Sequence, residues 1–191
     1  IPAYQRDYTW GKEEATQLID DIAGVIEDVE RHGARTPYFL GTMLFVEPPG
    51  VTAGDGETPC MVEVVDGQQR LITLAILFAV LRDIFEGEEA AGIDDLIAPS
   101  SAEGEARYHL RLRQGDDAFF RRAIQVRGAT RRGQPASEIG DRIARRNIED
   151  VRRAVRSKLL RELSGPARRE LVGFLRRNAR VLVVSSDDFD Y

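Results

Sequence analysis

Cysteine is nearly absent. Cys60 is the only one in 191 residues, which excludes an internal disulfide framework and a thiolate metal cluster and makes a reducing cytosol the expected compartment. It follows Gly56-Glu57-Thr58-Pro59 and reads as a loop-edge residue, since a nucleophilic thiol needs a neighbouring base. Histidine is as scarce: His32 and His109 lie far apart and in no zinc-type spacing. Neither a zinc site nor a His-metal nuclease centre can be assembled from them, and both read as structural or surface residues. No uninterrupted run of 18 or more apolar residues occurs, so no membrane-spanning helix is expected. Lysine is almost missing too, with arginine supplying 25 of the 27 basic side chains. A basic surface here therefore presents planar, bidentate guanidinium groups.

What is present is ordinary for a soluble globular chain, 42% hydrophobic and 31% charged, and long enough for one domain or one domain with a helical extension. The net charge of −5 conceals an asymmetry. Residues 1–104 hold 6 basic and 20 acidic residues, residues 105–191 hold 21 and 12, so an acidic front half precedes a basic rear half. That split is one footprint of a phosphate- or nucleic-acid-binding surface; genome composition and solvated helix faces are the alternative. The chain starts at Ile1 without a Met and without a basic-then-apolar leader, which suggests a piece of something longer.

Ile1 to Trp10 is polar and aromatic, with Pro2 favouring an extended or turning start. Leu18, Ile22, Val25, Ile26 and Val29 fall at helical spacing, predicting a helix over residues 13–32. Residues 38–47, bounded by Pro37 and Pro48, read as a strand in which Gly41 marks close approach of a backbone or ligand. A Gly/Pro-rich loop over 48–60 leads to a short strand at 61–65. Asp66-Gly67 breaks that strand, and Leu71, Leu74, Ala75, Phe78, Leu81 and Phe85 predict a helix apolar nearly all round, hence buried. An acidic loop is expected around 86–105, a strand with Leu110 and Leu112 on one face at 107–113, and a short helix at 116–126. After a basic loop at 128–135, one long amphipathic helix begins at Ser137, with Arg142, Arg145, Arg146, Arg152, Arg153 and Arg156 expected opposite its apolar stripe. Gly165-Pro166 punctuates; a further helix runs to about Asn178 and a last strand spans 181–184.

The chemistry-bearing stretch is Asp66-Gly67-Gln68-Gln69-Arg70. A strand delivering a helix N-terminus makes an anion site from free N–H groups and the helix dipole. Gly67 permits backbone approach to a phosphate, Arg70 can clamp its oxygens, Gln68 or Gln69 can orient a water, and Asp66 can hold a magnesium ion or that water. The plain alternative is a capped turn in which Asp66 accepts the first N–H groups of the helix. Tyr4-Gln5-Arg6 with Tyr8 and Trp10 offers a guanidinium and stacking rings, or simply aromatics packing the segment down.

Three blocks in order, Ile1-Pro2-x-Tyr4-Gln5-Arg6-x-Tyr8-x-Trp10, Tyr38-Phe39-Leu40-Gly41-Thr42 and Val65-Asp66-Gly67-Gln68-Gln69-Arg70-Leu71-Ile72-Thr73-Leu74, resemble the N-terminal domain of GmrSD-type, modification-dependent restriction endonucleases. The resemblance implies a ParB/sulfiredoxin-like fold and a site that binds and hydrolyses a nucleoside triphosphate with Mg2+, the base (GTP, UTP, CTP or ATP) being undecided. It implies catalytic roles for Asp66, which also serves as the metal ligand, Gln68, Gln69 and Arg70, and nucleotide contacts from Tyr4, Gln5, Arg6, Gly41, Thr42, Gly67 and Thr73. Relatives restrict glucosylated or phosphorothioated DNA, so modified DNA is the implied partner, with a His-Asn-His nuclease domain in a longer chain or a partner subunit, in the bacterial cytoplasm.

The expected fold is α/β or α+β: a small mixed sheet with a mainly helical C-terminal half, residues 1–104 forming the nucleotide-binding core and 105–191 the basic, mainly helical part of the same domain. The expected function is an NTPase switch coupling turnover to recognition of modified DNA, the six arginines contacting the DNA. A non-hydrolysing DNA-sensing module and an assembly scaffold are the alternatives, and homo-oligomerisation stays open.

Overall fold

A computed structural model describes residues 6–33, 37–46, 62–98 and 108–186. The loop at 48–60 with Cys60, and Tyr4 and Gln5, lie outside the described residues.

Helix α1 spans Lys12–His32 and buries Ala15, Leu18, Ile19 and Ile22 along one face. Glu14 accepts the Gly11 N–H at 2.8 Å, satisfying one free donor of the first turn, and Gly33 ends the helix at φ 70°, its N–H on the Val29 carbonyl. Strands β1 (Tyr38–Val46), β2 (Glu63–Asp66) and β3 (Ala179–Ser186) form a sheet of order β2-β1-β3. Leu44 stands opposite Asp66 in the antiparallel β1/β2 pair, and Tyr38 beside Ala179 in the parallel β1/β3 pair. Between Phe39 and Thr42 strand β1 advances three residues while β3 advances two, from Arg180 to Leu182. The extra residue is a bulge containing Gly41, whose φ of 102° suits glycine and few others.

From the end of β2 the chain enters α2 (Gln68–Ile84), the buried central helix expected from its apolar circumference; Ile76, Ala79, Val80 and Leu81 are fully buried. Then come α3 (Gly87–Asp94), α4 (Gln114–Phe120) continued by a π turn at Arg121–Gln125, a 3-10 turn at Ala129–Arg131, α5 (Ala136–Ile139), α6 (Ile143–Arg161) and α7 (Gly165–Asn178). Helix α6 lays Ile148, Val151, Val155 and Leu159 against α1 and α2, and Lys158 ties it to Asp20 of α1 at 2.7 Å. The result is the α+β fold expected, with a mainly helical rear half.

Three elements depart from the sequence reading. Residues 108–113 form no strand. Leu110 and Leu112 pack on the core as anticipated, but the backbone there is bonded by side chains: the Leu112 N–H donates to Asp117 Oδ1 at 2.8 Å, and Gln125 Nε2 donates to the Leu110 carbonyl. With those groups occupied no ladder forms. The long helix expected from Ser137 is two helices, broken where Gly140 adopts φ 60°. The acidic stretch from Glu86 is helical over α3, with Glu88 and Glu89 in the first turn, where the dipole favours them.

A buried Arg82-Asp83 pair anchors the segment after the π turn. Arg82 donates to the carbonyls of Ile124, Gln125 and Val126, groups a helix end leaves without partners. Asp83 accepts from the Gly128 and Thr130 N–H groups and the Thr130 hydroxyl. Burial pushes the Asp83 carboxyl up, but the bonds from Arg82, Thr130 and Gly128 outweigh this, and its pKa lies below the ordinary value.

Candidate functional site at the β2-α2 turn

Asp66 ends β2, exposed, and does not cap the helix. The N-cap of α2 is Gly67 at φ 90°, with no side-chain cap, so the capped-turn reading of Asp66 is corrected. The reason is geometric: the left-handed conformation of Gly67 starts the helix one residue too late for the Asp66 side chain to serve as its cap. A Cβ on Gly67 would stand 2.8 Å from Met43 Cγ, so glycine is needed there for space as well as for φ. Among the described residues no side chain accepts from the first N–H groups of α2.

Arg70, in the first turn of α2, reaches across to β1. Its Nη1 donates to the Thr42 carbonyl at 3.3 Å, and its guanidinium occupies the space where a Gly41 side chain would project. The bulge therefore brings Gly41 and Thr42 against Arg70. Among the described residues neither Arg70 nor Asp66 pairs with an opposite charge, whereas Arg82, Arg113 and Arg152 all do.

The two glutamines face the other way, toward residues 6–10. Gln69 Oε1 accepts the N–H groups of Thr9 (2.9 Å) and Trp10 (3.2 Å), and its Nε2 donates to the Asp7 carbonyl at 3.0 Å. With both lone pairs of Oε1 taken by backbone N–H groups, that oxygen is not available to accept from a water. Gln68 Nε2 donates to the Arg6 carbonyl at 2.6 Å, while its Oε1 is buried and without a partner among the described residues. That oxygen belongs to a residue lining a cavity of about 10 Å³, walled also by Arg6, Tyr8, Ile72, Arg113 and Ile148, which is close to the space of one water. Thr73, expected at the nucleotide, is buried and shares a 2.7 Å hydrogen bond with the Tyr8 hydroxyl. Burial pushes the Tyr8 phenol well up. Tyr8 and Trp10 thus pack the segment onto the core.

The sequence reading missed a charged cluster beside this segment. Arg113 pairs with Asp7 and with Asp116, and the buried Asp116 also takes Arg142 Nη1 at 2.9 Å. Burial raises the Asp116 carboxyl, and the bonds from Arg142 and Arg113 more than reverse it, leaving the pKa low. The only sequence signal was the Arg113-x-x-Asp116 spacing at the start of α4.

The single exposed arginine face expected on the rear helix is likewise not present. Arg152 is buried, bonded to Glu149 and to the Thr130 carbonyl. Arg142 precedes α6 and pairs with Asp116, and Arg145 spans to the Glu138 and Gly115 carbonyls over the Phe119 ring. Arg156 is half-buried. At 3.6 residues per turn, positions 145, 149, 152 and 156 flank the apolar stripe and fall under neighbouring segments. Arg142, Arg146 and Arg153 stay exposed, the first beside Asp116, the second beside Asp141 and the third beside Asp150 and Glu149.

The fold and turn define an α+β domain with a strand-glycine-helix turn at a sheet edge. The sequence profile for the GmrSD restriction endonuclease N-terminal domain matches residues 1–189, and the chain belongs to that family. No curated protein matches the chain. Among the described residues no three His, Cys, Asp or Glu side chains gather as a metal site, and no helix is long and apolar enough to cross a membrane.

Proposed function

We propose that this domain binds a nucleoside triphosphate at the β2-α2 turn and hydrolyses it, coupling turnover to recognition of modified DNA in a phage-defence restriction system of the cytoplasm. The observation that carries the reading is the Arg70 guanidinium, unpaired with any described carboxylate and laid over Gly41 beside the uncapped N-terminus of α2. Phosphate oxygens would gather the free N–H groups of α2 and the guanidinium, with Gly67 and Gly41 permitting close approach. Asp66 is a fit ligand for magnesium, which takes one or two carboxylates and fills its shell with phosphate oxygens and water. When bound, the ion would neutralise charge on the transferring phosphoryl group.

Gln69 and Thr73 act as positioning residues, holding residues 7–10 against the start of α2. Gln68 keeps an unbonded carbonyl oxygen for a water. DNA cutting is assigned to a nuclease domain in a longer chain or a partner, because His32 and His109 each face a backbone carbonyl, of Asp28 and Asp95. A non-hydrolysing DNA-sensing role is favoured by one observation, the commitment of Gln69 Oε1 to two backbone N–H groups.

Turnover of GTP, UTP, CTP and ATP by the purified chain, with and without magnesium and modified DNA, separates the two. Asp66→Asn and Arg70→Ala should each abolish turnover in a folded protein. Parental rates in both would remove the catalytic reading of the turn.

A further inference from the structure

At the opposite end of α2 from the turn, about 25 Å away along a 17-residue helix, α3 and α7 enclose a cleft of about 410 Å³. Its floor is apolar: Phe85, Ile93 and Val172. Arg169, Arg176 and Arg177 of α7 line one side, Glu88 and Glu89 of α3 the other. Arg169 pairs with Glu89, whereas Arg176 and Arg177 have no carboxylate partner among the described residues. Gly173 and Gly92 lie under these two guanidiniums, and at Gly173 a side chain would have to displace Arg177. A Cβ on Gly173 would come 2.7 Å from Arg177 Nη2, and one on Gly92 would sit 3.8 Å from Arg176 Nη1.

The helix dipole accounts for basic residues in the last turn of α7. It does not account for a cavity in the size range of small-molecule sites, floored by an aromatic and two aliphatic side chains, with two uncommitted guanidiniums over glycines. Guanidinium pairs select phosphate or carboxylate, an apolar floor selects a planar or aliphatic body, and a facing carboxylate such as Glu88 accepts from hydroxyl or amino groups. One ligand class carries all three features in that order.

We propose that the α3-α7 cleft is a second ligand site, for a nucleoside phosphate: phosphate on Arg176 and Arg177, base on Phe85, Ile93 and Val172, sugar hydroxyl or base amino group toward Glu88. The source is either a free nucleotide or a nucleotide unit of a nucleic-acid strand. The inference does not rest on hydrolysis at the β2-α2 turn.

The test is methyl NMR of the 191-residue chain carrying Arg70→Ala, which weakens any phosphate binding at the turn, titrated with AMP, CMP, inorganic phosphate and a short single-stranded oligodeoxynucleotide. The Ile93 and Val172 methyls should shift with the mononucleotides and not with inorganic phosphate. Adding Arg176→Ala and Arg177→Ala should weaken that binding tenfold or more. Tighter, salt-sensitive binding of the oligonucleotide assigns the strand as source; equal or weaker binding assigns the free nucleotide. Static methyls with every probe, shifts that survive the double arginine variant, or equal shifts with inorganic phosphate would overturn the proposal. Unchanged triphosphate turnover in Arg176→Ala/Arg177→Ala with Arg70 intact distinguishes loss of this site from loss of the turn.

Discussion

The hydroxyls of Tyr8 and Thr73 meet at 2.7 Å inside the core, joining the aromatic segment to the second turn of α2 across 65 residues of sequence. Thr73 also donates to the Gln69 carbonyl. Thr73→Val keeps the shape and strands the buried Tyr8 hydroxyl, which should cost about 1–3 kcal/mol. Adding Tyr8→Phe removes the stranded group and should recover part of that loss. Urea unfolding of the four proteins of the cycle measures the coupling, and strictly additive effects would count against the bond.

Gly41→Ala tests the bulge. An alanine there must adopt φ near 102° and project into the Arg70 guanidinium. The strained backbone alone should cost on the order of 1–3 kcal/mol, and the displaced Arg70 should lower the proposed triphosphate turnover, as is expected of Arg70→Ala. Thermal unfolding reads the first effect and steady-state turnover the second.

Asp83 and Asp116 govern acid stability. Both have folded-state pKa values below the ordinary aspartate value of 3.8. A depressed carboxylate contributes stability that is complete above its unfolded pKa and is lost as pH falls through that value and on through the folded one. The protein should therefore hold its stability down to about pH 5 and lose it progressively below pH 4. Asp116→Asn, which keeps the shape and removes the charge, should flatten the acid limb when unfolding free energy is followed against pH.

Arg152 and Arg153 are neighbours with opposite expectations. Arg152→Ala leaves the buried Glu149 with only the longer 3.8 Å pair to Arg153 and should destabilise by up to about 3–5 kcal/mol. Arg153→Ala, at an exposed site, should change stability by less than about 0.5 kcal/mol. If Arg146 and Arg153 contact DNA phosphates, neutralising both should flatten the log-log salt dependence of duplex binding by roughly 0.9 per lost contact; an unchanged slope assigns that face to solvent.

The β2-α2 turn was legible because its signals are local: a glycine after a short apolar strand, then apolar residues on every side of a helix. The approach of Gly41 to Arg70 was half legible, since a glycine inside a strand marks a bulge or a close neighbour without naming it. The commitment of Gln69 to Thr9 and Trp10 was not legible, because an amide reads the same whether it holds a water or a backbone 60 residues away. Residues 107–113 alternate as a strand does, yet Asp117 and Gln125 fill the hydrogen bonds that a neighbouring strand would have made. The arginines of α6 looked like one solvent face because charge alone does not reveal that Glu149 and the Thr130 carbonyl are waiting for Arg152.

The three backbone bonds of Gln69 and the one of Gln68 make residues 6–10 and the start of α2 a single structural unit. A chimera that imported the turn from a relative with other residues at positions 68 and 69 would leave the peptide groups of Arg6, Asp7, Thr9 and Trp10 searching for partners, however well the imported helix packed. Recombination between such domains should tolerate crossovers after α2 far better than crossovers between Trp10 and Gly67.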